Sequence, residues 1–286
     1  MTGTVIITDS AACIPPHLVE EYGIHIVPLT LVLEGKTYPD QADGDSRRFY
    51  EHLKSARNPP TTSSPSPGDY LEAFRRTAEG ADAALCITVG SRFSVGYNSA
   101  VQAADRARGE LPGLRVKVID SGAAAMAQGF MALEAARAVA GGADLETTAA
   151  RAQALKPRLV VVALLDTLDY LARSGRVPRV AAWASSLLQF KPIAEFGPNG
   201  VRLVARARVR ARARERLFSL LEERAAGARS LHLCVHHADA PEEAQALAER
   251  ANSTLKPVEL YISEFTRVMS AHTGPGLLGF AFYSDS

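Results

Sequence analysis

The first half of the chain alternates short apolar, β-branched runs with helical patterns, and this alternation limits the folds open to it more than any other feature. Such alternation favours a parallel β-sheet in an α/β fold. The clearest runs predict strands at 5–7, 83–89 and 115–119. Hydroxyl or carboxylate residues follow them, namely Asp9-Ser10, Ser91 and Asp120-Ser121. Because ligands of open α/β sheets bind beyond the carboxyl ends of the strands, we expect a site at this edge.

A chain of 286 residues lies near the size at which a single hydrophobic core divides into two. Its second half contains paired strands and helices, with Asn199-Gly200 as a hairpin signal and a predicted helix over 182–190. We therefore expect an α/β protein with two domains. Residues 1–155 are predicted to form an N-terminal parallel-sheet, Rossmann-like domain. Residues 156–286 are predicted to form a C-terminal α+β domain with a mixed sheet.

The composition excludes several classes of protein. The 32 Lys and Arg residues nearly balance the 31 Asp and Glu residues, which argues against binding nucleic acid over the whole surface. Hydrophobic residues make up 47% of the chain, so its composition is not that of a disordered protein. The most apolar run, 159–165, is far shorter than the ~20 residues that span a bilayer. We expect no stable membrane insertion.

Two features predict a cytoplasmic protein. Residues 1–9 carry no basic side chain before their apolar run, so they predict a strand rather than a signal peptide. The three cysteines, Cys13, Cys86 and Cys234, have no C-x-x-C spacing, and an odd number fits a reducing compartment.

Ser94 lies between a predicted strand and a predicted helix, where three interpretations are open. It has the position of the nucleophile in a G-x-S-x-G elbow, although Arg92 replaces the first glycine. Asp120 or Asp166, and then His272, follow it in the chain order of some hydrolase triads. Alternatively, Ser94 caps the following helix, or its hydroxyl and the free amides of that helix bind a carboxylate or phosphate.

Two further segments combine polar groups with rigid backbone. The loop at 58–68 holds four prolines, and its Thr62 and Ser63 offer hydroxyl donors to a small anionic group. The same composition is typical of a plain polar turn. In the segment 272–276, two glycines and a proline fix a turn beside His272, which favours a functional role as much as a structural one.

Arginine is concentrated in one stretch. Four arginines alternate with apolar or small residues on a predicted strand, which places them on one face: Arg202, Arg206, Arg208 and Arg210. Such a stripe is typical of a solvated face or of a surface for an anionic partner, whether DNA, a phosphate group or an acidic protein. Asp166 and Asp169 are expected to offset part of this charge.

No metal ion or cofactor is expected. The chain contains no P-loop, no G-x-G-x-x-G, no H-E-x-x-H and no Cys and His set with metal-ligand spacing. His236 and His237 are the nearest approach, but neighbouring residues of a strand point to opposite faces, so joint ligation is not predicted.

Ten short motifs of the chain stand in the order found in one family. They are Thr8-Asp9-Ser10, 62–68, 91–97, 118–121, 166–171, Gly175-Arg176-Val177, Lys191-Pro192-Ile193, Arg208-Val209-Arg210, 237–241 and 272–276. Over nearly its whole length the chain resembles the DegV family of bacterial fatty-acid-binding proteins. Within that resemblance it departs at three positions: Arg92 and Val95 stand where the family commonly has glycine, and Ser64 where it has glutamine.

The resemblance implies a lipid-binding carrier that is not itself an enzyme. One long-chain fatty acid would occupy a tunnel between the two domains, with its carboxylate presented to a separate fatty acid kinase that phosphorylates it to an acyl phosphate. Nucleic acid is not an expected partner. A serine hydrolase that acts on an acyl substrate through Ser94 is the alternative.

Site residues follow from the same resemblance. Thr62, Ser63, Ser94 and His272 would bind the carboxylate. Arg208 and Arg210 would lie at the mouth of the tunnel, facing the kinase.

Overall fold

We describe the protein from a computed structural model, which covers residues 3–40, 46–55, 60–177, 180, 189–197 and 200–285, without the side chains of 46 and 47. Asn199 and nearly all of the helix predicted over 182–190 lie outside these residues. That helix therefore stays a prediction.

The chain divides into two compact units. The first comprises residues 1–41 and 62–157, and the second comprises residues 42–61 and 158–286. This division differs from the predicted ranges chiefly in the segment 42–61, which groups with the second unit.

The strands of the first unit form two sheets. They are β1 (Thr4–Asp9), β2 (His25–Val27), β3 (Thr30–Leu33), β4 (Lys36–Pro39), β5 (Thr61–Ser63), β6 (Ala83–Thr88) and β7 (Arg115–Asp120). The main sheet has the order β2-β1-β6-β7, and all three of its strand pairs are parallel. The prediction of a parallel sheet in an α/β fold is confirmed. A second sheet has the order β4-β3-β5, so a short strand lies within the segment predicted as a loop.

Five α-helices of the first unit lie within the described ranges. They are α1 (Pro16–Glu21), α3 (Pro67–Ala78), α4 (Gly96–Glu110), α5 (Met126–Ala140) and α6 (Leu145–Leu155). All six residues of β6 are buried, as expected for a parallel strand that is covered on both faces. Helix α5 packs closely on the turn that follows β1, since a Cβ atom at Gly129 would stand 3.0 Å from the carbonyl oxygen of Ala12.

The second unit is built on one six-stranded mixed sheet. Its strands are β8 (Val160–Leu164), β9 (Lys191–Gly197), β10 (Gly200–Ala207), β11 (Ser230–Ala238), β12 (Glu259–Glu264) and β13 (Leu277–Asp285). The order is β10-β9-β8-β13-β11-β12, in which the β11–β12 pair is parallel and the other pairs are antiparallel. The predicted mixed sheet is confirmed, and β9 and β10 form the predicted hairpin.

The helices described in the second unit are α2 (Ser46–Ser55), α7 (Asp169–Ser174), α8 (Arg210–Ala225), α9 (Pro241–Leu255) and α10 (Arg267–Thr273). Side-chain contacts explain why α2 belongs here. The hydroxyl groups of Tyr50 and Ser270 are 3.0 Å apart, and Lys54 Nζ lies 2.6 Å from Asp239 Oδ2. These contacts link residues about 200 positions apart, so local sequence patterns do not reveal them.

None of the helices in the described ranges has both the length and the apolar character needed to cross a membrane.

Candidate binding site

Two aspartates mark the carboxyl ends of strands in the main sheet of the first unit. Asp9 ends β1 and is fully buried. Its Oδ2 accepts a hydrogen bond from the amide of Val89 at 2.8 Å, and its Oδ1 accepts one from Gln128 Nε2 at 3.0 Å. Burial raises the pKa of Asp9 to about 6, against the opposing effect of these hydrogen bonds. A charge held at this depth is a frequent sign of a functional site.

Asp120 ends β7 and occupies a more open position. Its carboxylate accepts hydrogen bonds from the amide and the hydroxyl of Ser91, at 3.0 and 2.7 Å, and from the amide of Gly122 at 2.8 Å. Partial burial acts to raise the pKa of Asp120, but the hydrogen bonds from Ser91 and Gly122 outweigh it and the pKa is lowered. Asp120 therefore stays ionised and fixes the start of the loop after β6.

The same loop carries Ser94, whose hydroxyl oxygen lies 2.5 Å from that of Ser64. Ser94 Oγ also accepts a hydrogen bond from the amide of Gly96 at 3.1 Å. The two hydroxyls carry two protons, and the bond between them uses one. The other proton is available to an acceptor outside the pair. The hydroxyl pair of Ser64 and Ser94 is thus a hydrogen-bond donor suited to an anion.

Local sequence explains where Ser64 is held. Ser66 is the N-cap of α3, with Pro67 at the first helical position. The Ser66 hydroxyl accepts from the amide of Asp69, and the Asp69 side chain accepts from the amide of Ser66, which is a complete capping box. Between this cap and β5, Pro65 is buried. Ser64 therefore stands on a backbone that is restrained on both sides.

The N-terminus of α4 faces the same pair. The residue at its N-cap position is Val95, two-thirds exposed and unable to accept a hydrogen bond through its side chain. The hydroxyl of Ser94, one residue earlier, accepts from the amide of Gly96, the first residue of α4, as the capping interpretation of Ser94 predicts. Gly96 is buried, and a Cβ atom there would stand 3.3 Å from Ser94 Oγ and 3.4 Å from the Tyr70 hydroxyl. Free amides in the first turn attract negative charge.

The predicted carboxylate ligands of the first unit lie on two segments. Thr62, half-buried, and Ser63, exposed, are on β5, next to Ser64 in the chain, while Ser94 is on the loop after β6. The contact that joins the two segments is made by Ser64, which is not among the site residues predicted from the sequence. Its only signal in the sequence is that it stands where the family commonly has glutamine.

His272 belongs to the second unit, where it lies in the last turn of α10. The sequence predicts a turn here but not the helix. Burial, with a smaller effect of the Arg176 charge, lowers the pKa of His272 to about 4, so its imidazole is neutral at pH 7. Gly274 follows with a φ of 81°, and a Cβ atom there would overlap the ring of Tyr170. The turn therefore requires glycine at position 274.

The single-faced arginine stripe predicted over 202–210 is wrong. The strand pairing shifts between Leu203 and Ala205, β10 ends at Ala207, and Arg210 is already the first residue of a helix. A two-residue period therefore does not hold over the stretch. The interpretation as a continuous surface for DNA loses its basis.

The four arginines have different surroundings. Arg202 pairs with Glu195 at 3.0 Å, and the guanidinium groups of Arg206 and Arg208 lie 4.8 and 5.5 Å from the ring centre of Phe190. Arg210 is half-buried and pairs with Glu243 at 2.6 Å and with Asp166 at 3.2 Å. The predicted offset of arginine charge by Asp166 is confirmed. Arg208 remains exposed.

A mixed-charge cavity of about 330 Å³ lies beside Arg210 in the second unit. Its charged lining consists of Lys54, Asp166, Arg210, Asp239, Glu242 and Glu243. The cations in it already pair with the carboxylates, so it offers no concentrated positive charge. In the described part of the chain, no three His, Cys, Asp or Glu side chains group as a metal site.

Known proteins match the chain over almost its full length. A family model described as "Uncharacterised protein, DegV family" matches residues 4–285. A DegV domain-containing protein of Streptomyces coelicolor is 36% identical over 276 residues, which are 96% of each chain. Protein DegV of Bacillus subtilis is 33% identical, again over 96% of each chain.

Solved structures give the same result. A fatty-acid-binding DegV family protein from Thermus thermophilus has a TM-score of 0.91 and 30% identity, covering 99% of this chain and 100% of its own. DegV of Bacillus subtilis, described as a fatty acid binding protein, has a TM-score of 0.88 and 30% identity over both whole chains. A stearic-acid-binding protein from Eubacterium ventriosum has a TM-score of 0.89 and 25% identity, covering 99% of this chain and 98% of its own.

Proposed function

The chain belongs to the DegV family, and on that premise we propose that it binds one long-chain fatty acid whose carboxylate is held at the hydroxyl pair of Ser64 and Ser94. The observation that carries this proposal is the 2.5 Å contact between the two hydroxyls at the strand ends, in a chain that matches fatty-acid-binding structures over its whole length. Thr62 and Ser63, on the adjoining strand, are proposed as further donors.

The donors suit a carboxylate that must be held without being neutralised. Hydrogen bonds to a charged group contribute about 1.5–3 kcal/mol each. Burying a methylene contributes about 0.8 kcal/mol, so some fourteen of them give about 11 kcal/mol before ordering costs are subtracted. The acyl chain therefore supplies most of the affinity. The hydroxyl pair fixes the orientation of the head group.

Lipid content is the first test of this proposal. The protein would be purified without added lipid, weighed by native mass spectrometry, then denatured and extracted. We expect one fatty acid per chain, released on denaturation. A bare protein that also fails to take up added palmitate or oleate would contradict the proposal.

The proposed role of the bound lipid is that of a substrate for a separate fatty acid kinase. A carboxylate oxygen attacks the terminal phosphorus of ATP on the kinase, which forms an acyl phosphate and releases ADP. Support comes from the sequence, which has no P-loop, and from Ser94, whose hydrogen-bond partners in the described residues are a hydroxyl and an amide. Such partners do not make a serine into a nucleophile.

Acyl phosphate formation tests the kinase role. With ATP, hydroxylamine and the catalytic subunit of a bacterial fatty acid kinase, we expect hydroxamate only when this protein is present with its lipid. The Thr62→Ala, Ser94→Ala double variant is expected to lose phosphoryl acceptance more than lipid retention. Equal loss of both would contradict this division of roles.

The serine hydrolase alternative has its own test. A fluorophosphonate would label an activated Ser94, with Ser94→Ala as the control. We expect no labelling of the wild-type protein, and stoichiometric labelling that the variant abolishes would favour the hydrolase.

The residues predicted on the second unit remain part of the proposal. His272 is neutral at pH 7 and is suited to a hydrogen bond with a head group. Arg208 is exposed and Arg210 is held in ion pairs, so of the two predicted partner-facing arginines we favour Arg208. Arg208→Ala should lower hydroxamate formation while lipid content stays unchanged.

A further inference from the structure

The carboxylate of Asp9, which is separate from the hydroxyl pair, is fully buried at the end of β1. Its Oδ1 accepts from Gln128 Nε2 at 3.0 Å and from the amide of Ala11 at 3.2 Å. Its Oδ2 accepts from the amide of Val89 at 2.8 Å and from the hydroxyl of Tyr70 at 3.5 Å. Four donors converge on this group. An ionised carboxylate, which only accepts, matches them all.

One of these donors starts the loop that carries Ser94. Val89 follows directly on β6, and from there the loop turns tightly, since the amide of Phe93 donates to the carbonyl oxygen of Gly90 at 2.8 Å. The next hydrogen bond joins the amide of Gly96 to Ser94 Oγ at 3.1 Å. A shift of Val89 would therefore also move Ser94, because the segment between them is short and held by its own hydrogen bonds.

Another donor lies on the helix that follows Ser64. Tyr70 is fully buried on α3, and its hydroxyl stands 3.4 Å from the place where a Cβ atom on Gly96 would be. The Tyr70 hydroxyl thus lies against the backbone at Gly96, two residues after Ser94. Asp9 is in this way connected to both segments whose hydroxyls meet.

We infer that Asp9 is a positioning residue for the fatty acid carboxylate, which sets the contact of Ser64 with Ser94 by holding Val89 and Tyr70. The inference rests on the proposed function. It adds a residue that touches no ligand atom but decides how well the hydroxyl pair is placed. A displacement of a few tenths of an ångström is enough to weaken a hydrogen bond between two fixed partners.

The cost of this arrangement argues for a role beyond folding. A buried carboxylate is expensive to keep ionised, and a well-packed apolar group in its place is often as stable. In the described part of the chain, the titratable groups that face Asp9 are Tyr70 from α3 and Cys86 from β6. Burial raises the pKa of both, so they stay neutral and do not offset the charge. Gln128 from α5 supplies an amide.

Carbon-13 NMR of bound oleate, labelled at its carboxyl carbon, tests the inference. Asp9→Asn keeps the size of the side chain and puts a donor where only acceptors fit. Tyr70→Phe removes the hydrogen bond from the Tyr70 hydroxyl to Asp9 and leaves the Asp9 carboxylate in place. Thr77→Val, which deletes a buried hydroxyl from the same helix that donates to the carbonyl oxygen of Ala73, is the matched control. Lipid content and thermal unfolding would be measured for each variant.

We expect Asp9→Asn and Tyr70→Phe to retain one oleate per chain while the carboxyl resonance shifts away from its wild-type position, and Thr77→Val to leave it in place. In the wild type the resonance should also change with pH near the Asp9 pKa of about 6, and this step should vanish in Asp9→Asn.

Each result decides a different claim. If the wild type shows no resonance of bound oleate, the proposed function fails. If oleate is bound but the carboxyl resonance of folded Asp9→Asn and Tyr70→Phe matches the wild type, the positioning role is overturned. Should Asp9→Asn not fold, Tyr70→Phe alone decides, because it keeps the buried carboxylate.

Discussion

Asp9 and Asp120 end two parallel strands of one sheet and differ in almost everything else. Asp9 is fully buried, and burial raises its pKa to about 6. Asp120 is partly open, and hydrogen bonds from Ser91 and Gly122 outweigh its burial and lower its pKa. Each accepts an amide from the segment after β6, Val89 for one and Ser91 for the other. An aspartate at the end of a parallel strand thus holds the segment after β6 from a buried position at Asp9 and from a partly solvated position at Asp120.

The largest expected effect is on the free energy of unfolding, which substitution of Asp9 should lower more than substitution of Asp120. Asp9→Ala leaves the amides of Val89 and Ala11 and the Gln128 side chain without their acceptor in a dry environment. We expect a loss of about 3 kcal/mol in the free energy of unfolding. Asp120→Ala should cost about 1 kcal/mol, because water replaces the lost acceptor. Urea unfolding at pH 7 measures both. Equal losses would mean that burial does not distinguish the two positions.

The pH dependence of stability should have opposite signs at the two residues. The folded protein binds a proton at Asp9 more tightly than the unfolded chain, whose pKa is the ordinary 3.8. The contribution of Asp9 to stability therefore falls as pH rises through 4 to about 6, by about 3 kcal/mol in total. The contribution of Asp120, whose pKa is lowered, is present above the ordinary value and is lost as pH falls below it.

Unfolding free energies of wild type, Asp9→Asn and Asp120→Asn, measured from pH 7 down to below the ordinary carboxyl pKa of 3.8, check these signs. The difference between wild type and Asp9→Asn should decrease with rising pH. A difference that stays flat across this range would show that Asp9 titrates normally in the folded protein.

Two glycines that follow β6, Gly90 in the loop and Gly96 at the start of α4, give a smaller effect. A Cβ atom at Gly90 would stand 2.8 Å from the carbonyl carbon of Gly122, which is backbone and cannot yield. At Gly96 the nearest atom is Ser94 Oγ, 3.3 Å away on a short side chain that can rotate. We expect Gly90→Ala to lower stability by about 2 kcal/mol and Gly96→Ala by less than about 1 kcal/mol. Thermal unfolding of the two variants and of the wild type measures these losses of stability.

The functional readout should reverse this order. Gly96→Ala pushes on Ser94 and should weaken head-group binding in spite of its small cost in stability. If Gly96→Ala binds oleate as the wild type does, Ser94 does not need its observed position.

Strand ends could be predicted from the sequence because local chemistry marks them. Asp9-Ser10 and Asp120-Ser121 follow apolar runs, and the structure places both aspartates at the carboxyl edge of a parallel sheet. The contact of Ser64 with Ser94 could not be predicted, since it joins residues 30 positions apart that meet only after folding.

The prediction of a single-faced arginine stripe was wrong for a local reason. Alternation assumes a regular strand, whereas β10 has a shift in its pairing and gives way to a helix at Arg210. The burial of Asp9 could not be predicted from the sequence either, because it depends on Tyr70 and Gln128, which come from two different helices.

The central claim is that the hydroxyl pair of Ser64 and Ser94 recognises a carboxylate. Dissociation constants of oleate and of oleyl alcohol, which shares the chain but lacks the carboxylate, test it most directly. We predict that wild type binds oleate about tenfold more tightly than oleyl alcohol. The Ser64→Ala, Ser94→Ala double variant should lose that preference and bind the alcohol as before, while Ser99→Ala on α4 should keep it. A preference that survives in the double variant would contradict the account.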